Sequence, residues 1–324
     1  MTALEFKPIS VFAPISIGNV SVGFDTLGLA LSPIDGSLVG DIVHIEILNS
    51  SNSESNFILT GTHAHKLTQV KEENIVWLSM NLFNANLKKQ AIKRQAIKIT
   101  LEKNIPVSSG LGSSSCSVVA ALVALNKFYQ TPFSQLELLK MMGVMEAQIS
   151  GGLHYDNVAP CYLGGLQLML NDPDKITQSL PIFDDIYWVI AYPDIEVSTN
   201  AARKILPESY TRETTIQFGQ NLAGFVDACY RQDTQQAFSL LKDVIAEPYR
   251  KKLLPYFEES KQALEDIGTL AVGISGSGPT LFCASDDLAV AKKSAEWLKR
   301  NYLKSEYGFV YICKADQLGS RPAD

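Results

Sequence analysis

The sequence has no long hydrophobic run. Its longest purely apolar stretch, Val118 to Leu125, is eight residues, against the roughly twenty that a membrane-crossing helix needs, so no membrane span is expected. It has no block of Lys and Arg either. With 28 basic against 34 acidic side chains and a formal charge of −6, no stretch could follow a phosphate backbone, and nucleic acid is not an expected partner. Cysteine is sparse and odd in number: Cys116, Cys161, Cys229, Cys283 and Cys313 are scattered in apolar surroundings, as buried reduced thiols are. The segment Met1 to Phe12 lacks a basic region followed by an apolar stretch and a small-residue cleavage site, so export is not expected. Together these absences point to the cytoplasm. Repeats and low-complexity tracts are missing too, and the nearest approach is the polar stretch Asn49 to Asn56, a surface loop by its Ser and Asn content.

What is present is an ordinary globular composition: 324 residues, 46% hydrophobic and 19% charged. At about 150 residues per domain the length favours two domains. Strand-like runs occur at Ser10 to Ile17, Ile42 to Leu48 and Ile97 to Leu101, and helical periodicity at Ile75 to Leu87, Cys116 to Tyr129 and Gln135 to Ile149. The breakers Asn171-Asp172-Pro173-Asp174 suggest a boundary. A second series follows, with strands expected at Ile186 to Tyr192, Leu270 to Ile274, Thr280 to Ala284 and Phe309 to Cys313. Helices are expected at Thr214 to Arg231, Gln235 to Ile245, Tyr256 to Asp266 and Leu288 to Tyr302. Such interleaving predicts helices layered over a sheet.

The most informative segment is Pro106-Val107-Ser108-Ser109-Gly110-Leu111-Gly112-Ser113-Ser114-Ser115-Cys116, between a strand and an apolar helix. Glycines let the backbone approach a ligand, and the first helical turn offers unpaired N–H groups and the positive end of the dipole. The serines can cap the helix, bind phosphate oxygens or ligate magnesium. The segment reads equally as a phosphate cradle or as a turn with a serine cap. A Walker loop is excluded because no Lys follows Gly112, and the dinucleotide fingerprint because Ser115 stands where Gly is required. A second cluster, Gly273 to Thr280, is not a nucleophile elbow, since Ser277 occupies its fifth position. A hairpin turn is its plain reading.

Other polar groups carry two readings each. Asn19 and Asp25 sit in the turn-rich segment Ala13 to Gly28 and could line a site or serve the local backbone. Glu146, His154, Asp156 and Asn157 form a polar cluster: one carboxylate with a Ser hydroxyl and phosphate oxygens suffices for magnesium, while solvated positions are the alternative. Arg203 and Arg250 suit bidentate carboxylate binding or plain surface charge. His63 and His65 read as a solvated loop, with no third ligand near in sequence.

Taken together and in this order, Ala13 to Gly28, Pro106 to Cys116 and Gly273 to Thr280 resemble the three motifs of the GHMP kinase superfamily. Within it the chain is similar over nearly its full length to the bacterial homoserine kinase family, notably at Ser150 to Gly165, Val197 to Pro207 and Ala246 to Arg250. The resemblance implies an α+β, two-domain GHMP kinase fold. Residues 1–167 would form an ATP-binding domain like domain 2 of ribosomal protein S5, and residues 168–324 a ferredoxin-like domain. The implied reaction is transfer of the ATP γ-phosphoryl group to the side-chain hydroxyl of L-homoserine, giving O-phospho-L-homoserine for threonine synthesis.

The resemblance also implies roles. Pro106 to Cys116 would wrap the ATP phosphates, with Ser114 and Glu146 on Mg2+ and Asn74 toward the base. Arg203 and Arg250 would take the substrate carboxylate and Asp25 its ammonium. Asn19 and Asn157 would stand near the hydroxyl, with His154 adjoining, and Asn19, Asn157 and Glu146 would form the catalytic set. A homodimer is implied as well. Where mevalonate kinase-like relatives carry an Asp base, this chain has Asn157, so catalysis is expected to rest on positioning and charge stabilisation. Two departures stand out: Gly18 replaces a usual Ala and Ser108 a usual Gly. A kinase of another small alcohol such as mevalonate, or a nucleotide-binding regulator without turnover, are the competing readings.

Overall fold

The computed structural model describes residues 6–48 and 54–323. Of the polar stretch Asn49 to Asn56, the part up to Ser53 lies outside the described residues, as do Met1 to Glu5. The first strands are β1 (Ile9–Pro14), β2 (Ser16–Gly18), β3 (Leu27–Pro33), β4 (Gly40–Ile47) and β5 (Asn56–Thr60). After α1 (Ile75–Lys89) and β6 (Ile97–Glu102) come the helices α2 (Ser113–Phe128), α3 (Gln135–Ser150) and α4 (Val158–Leu163). Then follow β7 (Leu166–Met169), β8 (Thr177–Leu180), β9 (Tyr187–Tyr192), α5 (Thr199–Lys204), α6 (Arg212–Arg231), α7 (Thr234–Ser239) and α8 (Glu247–Arg250). The remainder is α9 (Phe257–Ile267), β10 (Ala271–Ile274), β11 (Leu281–Ser285), α10 (Leu288–Asn301), β12 (Phe309–Ala315) and β13 (Arg321–Pro322).

Two sheets organise these elements. One runs β13-β1-β4-β6-β5, with only the β5–β6 pair parallel. The other runs β10-β11-β9-β12-β3-β7-β8, with β2 against β3, all antiparallel. The expected strand Ser10 to Ile17 is therefore two strands, and the chain changes sheet at Ile15. Helices cover the sheets as the interleaving predicts, in the α+β arrangement of the two-domain GHMP kinase fold.

Helix α2 explains the apolar run Val118 to Leu125. It packs on β1 and β4 on one side and on α1, α3 and α4 on the others, so every residue of the run is buried. A second core forms where α9 and α10 lie on β9, β10, β11 and β12. The break at Asn171 to Asp174 is the turn of the β7–β8 hairpin, and the expected division at 167–168 falls inside β7. The helix expected from Gln235 to Ile245 stops at Ser239. The Asp243 carboxylate accepts from the amides of Ile245, Ala246 and Glu247 at 2.9, 2.7 and 3.0 Å, which turns the chain into α8. Among the described residues no helix is long and apolar enough to cross a membrane.

Candidate active site

A cavity of about 470 Å³ is lined by segments far apart in sequence, among them Asn19, Asp25, the loop Val107 to Gly110, Glu146, Arg203 and Arg250. At one end the loop before α2 takes left-handed backbone at Ser108 (φ 56°), Gly110 (φ 80°) and Gly112 (φ 65°). Gly110 is also hemmed in, since a Cβ there would lie 2.5 Å from the Ser275 carbonyl oxygen. The Gly273 to Thr280 turn is thus a hairpin and a brace at once. Ser275 Oγ donates to Gly110 O at 2.6 Å, Thr280 N to Ser109 O at 3.2 Å and Gly276 N to Gly18 O at 3.1 Å. All three glycine-rich segments meet through these bonds. No side chain caps α2 at Gly112, so its first-turn amides and dipole remain for an anion.

Beside that turn, Glu146 accepts from Ser114 Oγ at 3.1 Å on each oxygen and from Ser115 Oγ at 3.1 Å. Burial pushes its carboxyl above the ordinary range, and the two hydroxyls pull it partly back. One carboxylate and neighbouring hydroxyls make a hard oxygen donor set of the kind Mg2+ takes together with phosphate oxygens. Among the described residues no group of three or more His, Cys, Asp or Glu could hold a metal alone. Below the loop, buried Lys103 donates to Asp41 at 2.5 Å, to Ser113 O at 2.7 Å and to Ser117 Oγ at 3.1 Å. Asp41 also accepts from Ser117 Oγ at 2.6 Å and from the amides of Asn104 and Ile105 at 2.9 and 3.2 Å. With its hydrogen bonds so satisfied, this buried ion pair fixes β6 to the start of α2.

The other end is charged. Asn19, Val20 and Ser21 are consecutive left-handed residues (φ 70°, 45° and 53°), and a β-branched residue there is strained. The turn is closed by Asp25 N donating to Asn19 Oδ1 at 2.9 Å. Arg203 grips the Asp25 carboxylate with both terminal nitrogens, at 3.1 and 2.9 Å, while its Nε is buried without a hydrogen-bond partner. Burial works against the Arg203 charge, but the hydrogen bonds and charge of Asp25 outweigh it and raise its pKa. His154 Nδ1 lies 3.6 Å from Asp25. Burial lowers its pKa, against the pull of Asp25, which disfavours the charged ring. Arg250, 3% exposed, donates to Ala202 O at 3.1 Å and Gly276 O at 2.7 Å. The Asn157 amide is clamped: Ser16 Oγ donates to its Oδ1 at 2.9 Å and its Nδ2 donates to Asp156 at 3.2 Å. Asp156 is 6% exposed. Burial, then the charges of Asp25 and Glu146, push its carboxyl up to about 7.

The GHMP kinases N terminal domain family matches residues 74–165 and the GHMP kinases C terminal family residues 225–303. The homoserine kinase from Cytophaga hutchinsonii is 32% identical, covering 98% of this chain and 99% of its own, with a TM-score of 0.86. This chain belongs to the GHMP kinase family. The Methanococcus jannaschii mevalonate kinase (15% identity, 97% and 99% covered, TM-score 0.65) and the Streptococcus pneumoniae phosphomevalonate kinase (12%, 94% and 99%, 0.70) share the fold. As a GHMP kinase the protein is a phosphotransferase with ATP as donor.

In this GHMP kinase, Asn19, Asp25, Glu146, His154, Asn157, Arg203 and Arg250 all line the one cavity. Of the segment assigned to ATP, Val107 to Gly110 and Gly112 to Ser114 are on its wall, whereas Pro106, Leu111, Ser115 and Cys116 are not. Leu111 and Cys116 are core residues, and Ser115 turns its hydroxyl to Glu146. Asn74 lines the cavity and spends its Oδ1 capping α1 at Val76 N, 3.0 Å away. Gly18 has a local reason in this GHMP kinase: a Cβ there would come 2.6 Å from both Asn157 Nδ2 and Asp156 Oδ2. Two buried charged residues of the wall carry no role assigned from sequence. Lys103 is one, because its partner Asp41 is 62 positions away. The other is Asp156, noticed within a polar cluster but given no role.

Proposed function

We propose that this GHMP kinase transfers the γ-phosphoryl group of ATP to the side-chain hydroxyl of L-homoserine, with Mg2+ held at Ser114 and Glu146. The observation that carries the substrate is the convergence of Asp25, Arg203 and Arg250 on one cavity. An α-amino acid needs an acceptor for its ammonium and fork donors for its carboxylate. The 32% identity to a homoserine kinase supports the same choice. Because Asp25 and Arg203 already neutralise each other, a zwitterion exchanges one ion pair for two and leaves the site balanced. A carboxylate without an ammonium, as in mevalonate, takes Arg203 and strands the half-buried Asp25.

The amides of the 107–114 loop and the first turn of α2 receive the phosphates, and the Glu146 carboxylate stands beside them. Magnesium bound there supplies positive charge to the phosphate oxygens. Asn157, fixed between Ser16 and Asp156, orients the acceptor hydroxyl. An amide cannot take the proton, which a loose phosphoryl-transfer transition state does not require early. Asp156, with its carboxyl at about 7, is the adjacent group able to hold that proton once released. The test is ADP release from Mg-ATP with L-homoserine, D-homoserine, L-serine, L-threonine and mevalonate at equal concentrations. Selective turnover of L-homoserine is expected, and activity with mevalonate alone would overturn the substrate assignment while keeping the fold.

A further inference from the structure

Charge alone does not hold the two arginines at the acceptor end. Arg203 Cζ lies 5.9 Å from the centre of the Phe24 ring, and Arg250 Cζ lies 5.3 Å from the same ring. Phe24 is half-buried and off the cavity wall, so it acts on a ligand only through its neighbours. Next in the chain, Asp25 is left-handed (φ 55°) and takes both terminal nitrogens of Arg203. Arg250 has a different environment, since its hydrogen bonds go to the uncharged carbonyls of Ala202 and Gly276. Burial, and the nearby charge of Arg203, disfavour its positive form against the pull of Asp243. Two guanidinium groups brought close need a shared source of negative potential, and the face of an aromatic ring supplies one.

We propose that Phe24 is a positioning residue for the substrate carboxylate: its ring sets the spacing at which Arg203 and Arg250 meet one carboxylate. The preference for a carboxylate-bearing acceptor then depends on a residue that never touches it. This rests on the amino-acid reading of the site given above. The competing role for Phe24 is apolar filling, which a leucine would serve as well.

The experiment compares wild type, Phe24→Leu and Phe24→Tyr on two acceptors: L-homoserine, and L-homoserinol, in which the carboxylate is replaced by an alcohol. For L-homoserine, Phe24→Leu raises KM about tenfold, with kcat and the KM for ATP nearly unchanged, and Phe24→Tyr restores the KM. For L-homoserinol, wild type and Phe24→Leu have the same kcat/KM. The ratio of kcat/KM for the two acceptors is read within one preparation, so it does not depend on how much of a variant folds. An equal loss on both acceptors, or none on either, overturns the proposal while L-homoserine remains the substrate. Failure of the wild type to turn over L-homoserine overturns the amino-acid reading, and this proposal with it.

Discussion

The two ends of the cavity are built on opposite plans. The end proposed to take the phosphates is nearly contiguous in sequence: residues 107–114 supply backbone and hydroxyls, and Glu146 joins them from one helix away. The charged end, proposed to take the acceptor, is assembled from Asp25, the turn His154 to Asn157, Arg203 and Arg250, with the Asp25–Arg203 pair spanning 178 positions. Phosphate oxygens are recognised by local backbone geometry, which motif spacing can encode. A zwitterion is recognised by charges that converge only when the chain is folded.

The sharpest way to break this division is Glu146→Ala. It should lower kcat on the order of 10³-fold and leave the amino-acid KM within a few-fold, as read from steady-state kinetics with each substrate varied. A dominant rise in the amino-acid KM would move Glu146 to the other end.

Next in size is Asp156→Asn, which isolates the cost of a buried carboxyl at the acceptor end. Asp156 keeps its proton in the fold up to about pH 7, whereas its ordinary value is 3.8. Between those values the native state binds more protons than the unfolded chain, so rising pH removes stability, and the whole penalty is present above pH 7. The displacement corresponds to a penalty on the order of 4 kcal/mol. Denaturant unfolding should therefore find Asp156→Asn more stable than wild type at pH 8 and lose most of that advantage at pH 4. An advantage independent of pH would refute the burial account.

Arg203→Ala should raise the amino-acid KM about 100-fold, the worth of a charge-assisted paired interaction, while the KM for ATP holds. Equal effects on both substrates would erase the contrast between the ends. The smallest effect is expected from Ser108→Gly in the phosphate loop. Serine at φ 56° is strained by about 1 kcal/mol, and glycine relieves it. A thermal midpoint higher by about 2 °C is expected, and no gain would mean that the Ser108 hydroxyl compensates for its backbone.

Legibility followed the same division. The glycine-rich loop before α2, the long helices α1, α2, α3, α6, α9 and α10, and the strands β9, β10, β11 and β12 carry periodicities or turn residues that span their own length. The helices α4, α5 and α8 span only four to six residues, too brief for a helical period to emerge, while β5 lies against β6 and the β7–β8 hairpin against β3. Taken singly, Arg203 and Arg250 read first as surface charge, because nothing near Arg250 in sequence announces that Gly276 will accept from it. Lys103 and Asp41 stand at strand ends, where no local pattern marks them. Their burial is decided by α2 landing on them, with Ser113 and Ser117 completing the bonds.

The pairing of early with late strands sets a timetable for synthesis. Phe12 of β1 faces Arg321 of β13, and Leu31 of β3 faces Ala315 of β12, so each sheet closes with residues made close to three hundred positions later. On the ribosome the first half can collapse around α2 but cannot finish either sheet, and its half-built edges stay open for aggregation or chaperone capture. A nascent chain halted before residue 309 should accordingly remain protease-sensitive in β3, and become resistant only once β12 has emerged.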